Sequence, residues 1–500
     1  MCFENQEHLR HSRSETRNVV RICDFMGRRP ISFRMSPSTC ACCPIQSDDI
    51  LTAITRVAME THSPSSQILH PTFMQAFRVW GRIGLLSFGG PTGQISLMHA
   101  ELVEKRRWIS DARFLHALNY CMLLPGPEAH QLAIYIGWLL HRTWGGIVAG
   151  MWFVLPGAAC MGFLSSVYVL FGKIPWVESV FYGLKPAVMA IVAAAVLRIG
   201  RKALKNEIMW VLSGLSFIAI FFFHLPFPLI VLCGGLLGLA GGHWFPKKFE
   251  PAADHGGTAK GKVETVISDL GGQTSVRPIL RRTLATALIG LSIWFAPLAV
   301  AGSALGIDHA LFREGVFFSK AAVVTFGGAY AVLPYVAQQA VEVHQWLSPT
   351  QMMDGLGLAE TTPGPLILVL QFVGFLGGWN HPGELTPMSS AMLGAMITSW
   401  MTFVPSFLFI FLGAPYIERM RGNLKLGAAL SAITAVVVGV ILNLAVWFGM
   451  SVLLPEPGRV DGFVAVVSVL AFFGMTRRKW DIIPVVLGGG ALGLVYRMCF

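Results

Sequence analysis

The chain has 500 residues, of which 54% are apolar and only 13% charged, and its net charge is +11. A soluble protein carries about 25% charged residues, so a string of soluble domains is excluded. The basic residues border apolar segments and form no basic soluble domain, which excludes nucleic-acid binding and fits the surplus of Lys and Arg on cytoplasmic loops.

Residues 1–70 are polar and Arg-rich, without the apolar core of a signal peptide. They read as a disordered cytoplasmic tail. They also read as an over-extended start, because Met59 or Met74 can begin a shorter chain. Five of the nine cysteines lie here, but Cys40-Ala41-Cys42-Cys43 meets no structural zinc spacing. No metal and no cofactor is expected.

A first membrane unit spans 71–245, a polar linker 246–282 and a second membrane unit 283–500. Gly145–Gly172, Ile208–Pro246, Thr283–Ile307, Ala321–Val341, Leu385–Ile417 and Leu426–Pro455 contain no Asp, Glu, Lys or Arg. Each can supply the roughly 20 residues of a membrane-spanning helix, and backbone satisfaction in lipid makes such runs helical. The Ile208 run has room for two helices hinged at His224-Leu225-Pro226-Phe227-Pro228. The expected fold class is an all-α polytopic integral membrane protein with about ten to twelve membrane segments.

The two units repeat one another. Phe88-Gly89-Gly90, Val103-Glu104, Trp108, Ser110 and Pro125-Gly126-Pro127 recur 238 positions later as Phe326-Gly327-Gly328, Val341-Glu342, Trp346, Ser348 and Pro363-Gly364-Pro365. The register then shifts through an insertion near Gly377–Glu384, after which Pro156 resembles Pro405 and Pro175…Glu178…Lys185 resembles Pro415…Glu418…Lys425. Lys105-Arg106-Arg107 has the uncharged counterpart Val343-His344-Gln345, while Arg419 and Arg421 stand where the first half is poor in Arg. The basic side therefore swaps, as expected for an inverted repeat with broken helices.

Gly and Pro inside apolar segments break membrane helices. The second half of a broken helix presents free N–H groups and the positive end of its dipole, a site for an anion. Gly89, Gly90, Gly327 and Gly328, with Pro125, Gly126, Pro127, Pro363, Gly364 and Pro365, are thus candidate substrate-binding residues. The alternative is that these residues only permit close packing. Arg82 and Lys320 occupy equivalent positions six residues before each Phe-Gly-Gly triplet. Two readings stay open for them: attraction of the anion or snorkelling to headgroups. Lys185, Glu128, His130 and Glu360 are candidates for coupling. Trp108 and Trp346 are candidates for gating, against the ordinary role of Trp at the membrane interface. No enzyme motif is present, so an enzyme is not expected.

Phe88-Gly89-Gly90-Pro91, Pro125-Gly126-Pro127 with Gln131-Leu132-Ala133-Ile134-Tyr135-Ile136-Gly137, Phe326-Gly327-Gly328, and Thr362-Pro363-Gly364-Pro365-Leu366-Ile367-Leu368 with Gln371-Phe372-Val373-Gly374 together resemble the chromate ion transporter family in its long, two-domain form. The resemblance spans about residues 73–497. It implies export of chromate across a bacterial inner membrane, chromate resistance, use of the membrane gradient, and sulfate as a competing or exchanged ion. The residues alone support a two-repeat oxyanion carrier, in which rocking of one half against the other alternates access. Its partners are a chromate or sulfate dianion and membrane lipid, with a homodimer left open. A sulfate or other oxyanion carrier is the first alternative, and a membrane scaffold or enzyme without flux the remote one.

Overall fold

The computed structural model describes residues 70–88, 90–249, 280–326, 328–416, 424–454 and 460–499. Every described element is a helix. The first half contains α1 (Phe73–Leu85), α2 (Gly90–His99, continued by a π-helical turn Ala100–Lys105), α3 (Asp111–Cys121), α4 (Glu128–Phe171), α5 (Pro175–Ala203), α6 (Glu207–Phe221) and α7 (Phe227–Trp244). The second half contains α8 (Leu280–Leu305), α9 (Ala310–Val324), α10 (Ala329–Gln338, continued by a π turn Gln339–Val343), α11 (Pro349–Thr361), α12 (Val369–Asn380, preceded by a 3-10 turn Leu366–Leu368), α13 (Pro387–Gly413), α14 (Leu424–Leu453), α15 (Gly462–Arg477) and α16 (Ile482–Cys499). Seven of these helices are long and apolar enough to cross a membrane, and three shorter apolar ones accompany them. The chain is a multi-pass membrane protein.

The repeat holds at the level of backbone detail. Both halves carry a π turn at the same offset. Arg107 and Gln345, also equivalent, both take φ 53°. Beyond them, Ser110 and Ser348 accept a hydrogen bond from the N–H three residues on, and so cap α3 and α11. Gly90–Lys105 can reach only about 24 Å, short of the roughly 30 Å apolar core. With α3, it forms a hairpin that enters and leaves on one side. The same holds for α10 and α11. Such a re-entrant segment is tolerated only where protein covers it. α8 has no described counterpart, since the equivalent positions 42–67 lie outside the described residues.

α4 is two helices in one. Its 44 residues would measure about 66 Å, twice a bilayer, and the backbone leaves helical geometry at His141 and Arg142. The two arms fold back together because Gly137 and Gly145 let backbone meet backbone. In the second half α12 and α13 make the same fold with a longer loop, the insertion read in the sequence. Gly374 and Gly394 form its seam. The expected hinge in the Ile208 run is also present, with α6 and α7 joined through His224 at φ 50°.

The halves are exchanged. α5 packs on α15 and α16 of the second half, while α14 packs on α6 and α7 of the first. Gly183 meets the backbone of Gly489 and Gly493, and Ser216 Oγ donates to Val436 O at 2.8 Å. A methyl group on Gly183 has only backbone to displace. Gly183→Val should therefore destabilise the protein by about 1–3 kcal/mol, seen as a lower thermal midpoint in detergent. Gly214→Ala, where a methyl meets nothing within 4 Å, should leave that midpoint unchanged or raise it.

Candidate functional site

α2, the first arm of α4, α10 and the 3-10 turn leading to α12 all begin at a Gly or Pro break. The breaks bind each other across the halves. Gly126 N–H donates to Thr325 O at 2.7 Å, and Gly364 N–H donates to Ser87 O at 2.8 Å. These are one bond made twice, since Gly126 is equivalent to Gly364 and Ser87 to Thr325. Each Pro-Gly-Pro triplet is thus tied to the residue preceding the opposite Phe-Gly-Gly triplet. Ser87 and Thr325 are fully buried.

Each triplet is braced from its own or the opposite half. Gln94 Nε2 donates to Gly364 O at 2.6 Å, and Gln131 Nε2 donates to Pro125 O at 2.7 Å. Pro363 lies against Gly157 beside Pro156, and Gly126 lies against Ser406 beside Pro405. The Pro-Gly-Pro breaks therefore nest on the prolines of the opposite half. Positive φ explains glycine here: 123° at Gly126, 91° at Gly364, 69° at Gly90 and 90° at Gly328. Gly89 and Gly327 lie outside the described residues.

The N–H groups of Gly126 and Gly364 are committed to Thr325 and Ser87, so these glycines form the frame of the junction. Pro127 and Pro365 begin the arms that follow, and their fixed φ suits a helix start. Glu128 is half-buried, and its Oε1 lies 3.8 Å from where a methyl on Gly328 would stand. Lys202 of α5 acts on its charge. Glu360 is buried and accepts a hydrogen bond from Tyr330, two residues after Gly328. Arg198, one turn before Lys202, acts on both members of that pair. α5 therefore carries two exposed cations, at i and i+4, whose charge acts on the carboxyls of the junction.

The other candidates lie further out. Arg82 is exposed in a groove with Phe77, Arg78, Leu86 and Trp152, and it acts on Glu101. Lys320 is exposed and acts on His344. Lys185 is half-buried and acts on Asp354, which accepts from Tyr168 Oη at 2.9 Å. His130 is fully buried among the rings of Phe153, Phe403 and Phe407. Lys425, Glu418, Arg419 and Arg421 fall outside the described side chains.

Trp108 and Trp346 are buried at the hairpin turns, each with its N–H bonded back 2.8 Å to the π segment. The Arg106 guanidinium lies 5.4 Å from the Trp108 ring, and His344 stacks on Trp346 at 4.4 Å. At these turns the Lys105 hydrogen bond, at 2.6 Å, holds the Glu101 carboxyl below the usual range despite its burial. His344 is pushed down by burial and by Arg313 and Lys320. Among the described residues no cluster could hold a metal ion.

Arg198, Lys202, Gln94, Tyr330, Ser87 and Thr325 escaped the sequence reading. Arg198 and Lys202 follow directly on the apolar run Ser179–Leu197 and look like ordinary end-of-helix charges. Both are exposed, and only the packing of α5 on α11 brings their charge within range of Glu128 and the Tyr330–Glu360 pair.

The arrangement defines a polytopic membrane protein of two repeats joined by reciprocal helix breaks at its centre. The chain belongs to the chromate transporter family, whose model matches residues 74–239 and 312–494. It is 28% identical over 431 residues to a chromate transport protein of Cupriavidus metallidurans, covering 85% of this chain and 93% of that protein. To a chromate transport protein of Pseudomonas aeruginosa it is 30% identical over 430 residues, covering 84% and 92%. A stretch of 141 residues, 28% of this chain, is 36% identical to 71% of the uncharacterized transporter YwrB of Bacillus subtilis. No solved structure matches the chain.

Removing a brace leaves a buried carbonyl without its donor. Gln94→Ala and Gln131→Ala should each cost about 1–3 kcal/mol of stability, read as a lower thermal midpoint in detergent, and the double variant should cost nearly the sum because the two bonds lie at separate turns.

Proposed function

We propose that the protein is a secondary carrier that exports chromate across the bacterial inner membrane and so confers chromate resistance. The observation that carries this reading is the crossed junction, where two re-entrant hairpins of opposite halves end on each other's breaks. Helix starts converge there, and a helix start favours an anion through its unpaired N–H groups and its dipole. Family membership supports chromate as the ion. Gly89, Gly90, Gly327 and Gly328 let backbone approach the dianion, and the Pro-Gly-Pro triplets hold the facing helix starts in place. Arg198 and Lys202 add positive potential at the junction, with Glu128 and Glu360 as counter-charges that the dianion competes with.

Arg82 and Lys320 serve as the outer field that draws the anion in. Trp108 and Trp346 hold the hairpin turns, and Lys185 and His130 brace the two flanks. The two halves lie in opposed orientation, with the tail and the 246–282 linker on the cytoplasmic side, in line with the swap of basic residues between them. Because the repeats exchange α5 and α14, they do not rock as separate bodies. Alternating access instead moves the hairpins and their neighbours against the group formed by α5–α7 and α14–α16.

A sulfate carrier is the second reading, since a site of backbone donors and two cations recognises charge and shape that sulfate shares with chromate. Competition by sulfate against chromate separates the two: sulfate taken up in preference, with no chromate resistance in cells, selects sulfate.

The test is chromate uptake into everted vesicles at matched protein levels. Arg198→Ala and Lys202→Ala should each lower uptake about tenfold at low salt, equivalent to roughly 1.4 kcal/mol, and by less at high salt, since both side chains are exposed. Arg82→Ala and Lys320→Ala should raise the apparent KM at low salt only, because exposed charges are screened. Uptake unchanged in all four variants removes the electrostatic part of the reading, and no uptake by the wild-type protein removes the whole.

A further inference from the structure

Glu314 lies in the second turn of α9 and is fully buried. Neither of its carboxyl oxygens has a hydrogen-bond partner among the described residues. The carboxyl fits because side chains are missing around it. A methyl on Gly377 of α12 would collide with its Oε1, and one on Gly394 of α13 would stand 2.9 Å from its Oε2. Trp346 closes the niche, 3.2 Å from the same point beside Gly377. The hydroxyls of Ser390 and Thr398, in the α12–α13 seam, are also buried without partners.

Among the described residues no counter-charge faces this carboxyl. α12 with its 3-10 turn and α13 contain no Asp, Glu, Lys, Arg or His. α8 carries only Arg281 and Arg282, in its first turn. α10 offers Tyr335 and Tyr330, the latter bonded to Glu360, and its π turn offers exposed Glu342. On α9 itself, Arg313 binds Asp308 at 2.9 Å and Lys320 is exposed. The neighbouring loops contribute His309, His344, His381 and Glu384. An ionised carboxylate in such a place is costly, and intramembrane carboxyls of this kind serve proton traffic.

The place is also mechanically apt. α9 ends at Thr325, the acceptor for Gly126, and α12 begins just after Pro363-Gly364-Pro365. Above the niche, three loops touch. Gly383 lies against His309, and His381 Nε2 is 3.2 Å from Gln345 O. With His344 they form a histidine rim at one face. The equivalent residue in the first half is Ala76, so the repeat does not duplicate this carboxyl.

We propose that Glu314 is the proton-carrying carboxyl of the transport cycle. It takes a proton from the face rimmed by His309, His344 and His381, and the neutral acid lets α9 close on the glycine seam of α12 and α13. Release of the proton on the junction side, where α9 ends at Thr325, reopens that seam, so each cycle carries one proton from the rim face to the opposite one. The glycine backbones leave room for a proton and not for a hydrated metal cation. This inference rests on the carrier reading above.

The experiment uses full-length protein in proteoliposomes, with chromate counterflow without a gradient measured beside accumulation driven by an imposed pH gradient. Glu314→Gln should keep counterflow and lose the gradient-driven accumulation. A hydrophobic carbodiimide should label Glu314 of the wild-type protein, as read by mass spectrometry, and chromate counterflow should survive the labelling. The labelling decides the matter if Glu314→Gln fails to fold. Unchanged gradient-driven accumulation in the variant overturns the proposal. So does loss of both activities in folded variant, driving by a sodium gradient in place of the pH gradient, or an unlabelled Glu314. Absence of counterflow in the wild-type protein instead overturns the carrier reading, and the labelling result then stands as the measure of Glu314.

Discussion

Two hydrogen bonds organise this molecule: Gly126 N–H to Thr325 O and Gly364 N–H to Ser87 O. A helix that stops inside a membrane orphans backbone groups that lipid cannot satisfy. The chain breaks its helices repeatedly, at Leu86–Gly90, Leu123–Pro127, Thr325–Gly328 and Thr362–Pro365. Each Pro-Gly-Pro break finds its partner at the Phe-Gly-Gly break of the other half. The constraint is mutual, so neither half can place its hairpin without the other. The buried glutamines Gln94 and Gln131 then hold the carbonyls of the two Pro-Gly-Pro triplets. The residues that punctuate the sequence are the residues that bind the halves together.

Exchange of α5 and α14 follows from the same demand. A hairpin that enters from one side must be roofed by protein over its whole length. α5 crosses to α15 and α16, α14 crosses to α6 and α7, and each lies along a hairpin of the second half, α5 on α11 and α14 on α10. The crossing has a chemical by-product. It carries Arg198 and Lys202, residues at the end of an apolar helix, to the junction where Glu128 and the Tyr330–Glu360 pair stand.

Much of the fold was legible in the sequence because lipid imposes simple rules. Uncharged runs of about 20 residues gave helices, the 238-residue offset gave the repeat, and the His224–Pro228 cluster gave the turn between α6 and α7. The Gly and Pro triplets marked the breaks correctly because their backbone restrictions are local. Partnership across the halves is not local. Nothing near Gly126 names Thr325, and nothing near Leu197 says that the charge of Arg198 reaches the Tyr330–Glu360 pair. The expectation that the Pro-Gly-Pro glycines offer unpaired N–H groups gave way to the crossed bonds for that reason. Two separated halves rocking against each other was likewise an inference from duplication, and duplication does not disclose exchange. Glu314 was hidden by its neighbours, since Arg313 and Lys320 made its surroundings look like a polar helix end.

The departures from symmetry matter as much as the symmetry. Two halves of identical chemistry in opposed orientation give a carrier whose two end states are equal in energy, and such a carrier only equilibrates its substrate. Accumulation against a gradient needs a second ion whose binding differs between those states. The chain is closely symmetric in its backbone at the junction: the paired π turns, the φ of 53° at Arg107 and Gln345, the reciprocal bonds. It is asymmetric in its ionisable groups. Glu314 faces Ala76, Lys105-Arg106-Arg107 faces Val343-His344-Gln345, and Asp354 faces His116. Symmetric backbone lets either face open onto the anion with the same geometry, while unpaired charge makes one opening depend on an ion that the other does not see. On physical grounds coupling groups belong where the repeat fails, and among the described residues Glu314 is a carboxyl that is buried, unpartnered and unrepeated at once.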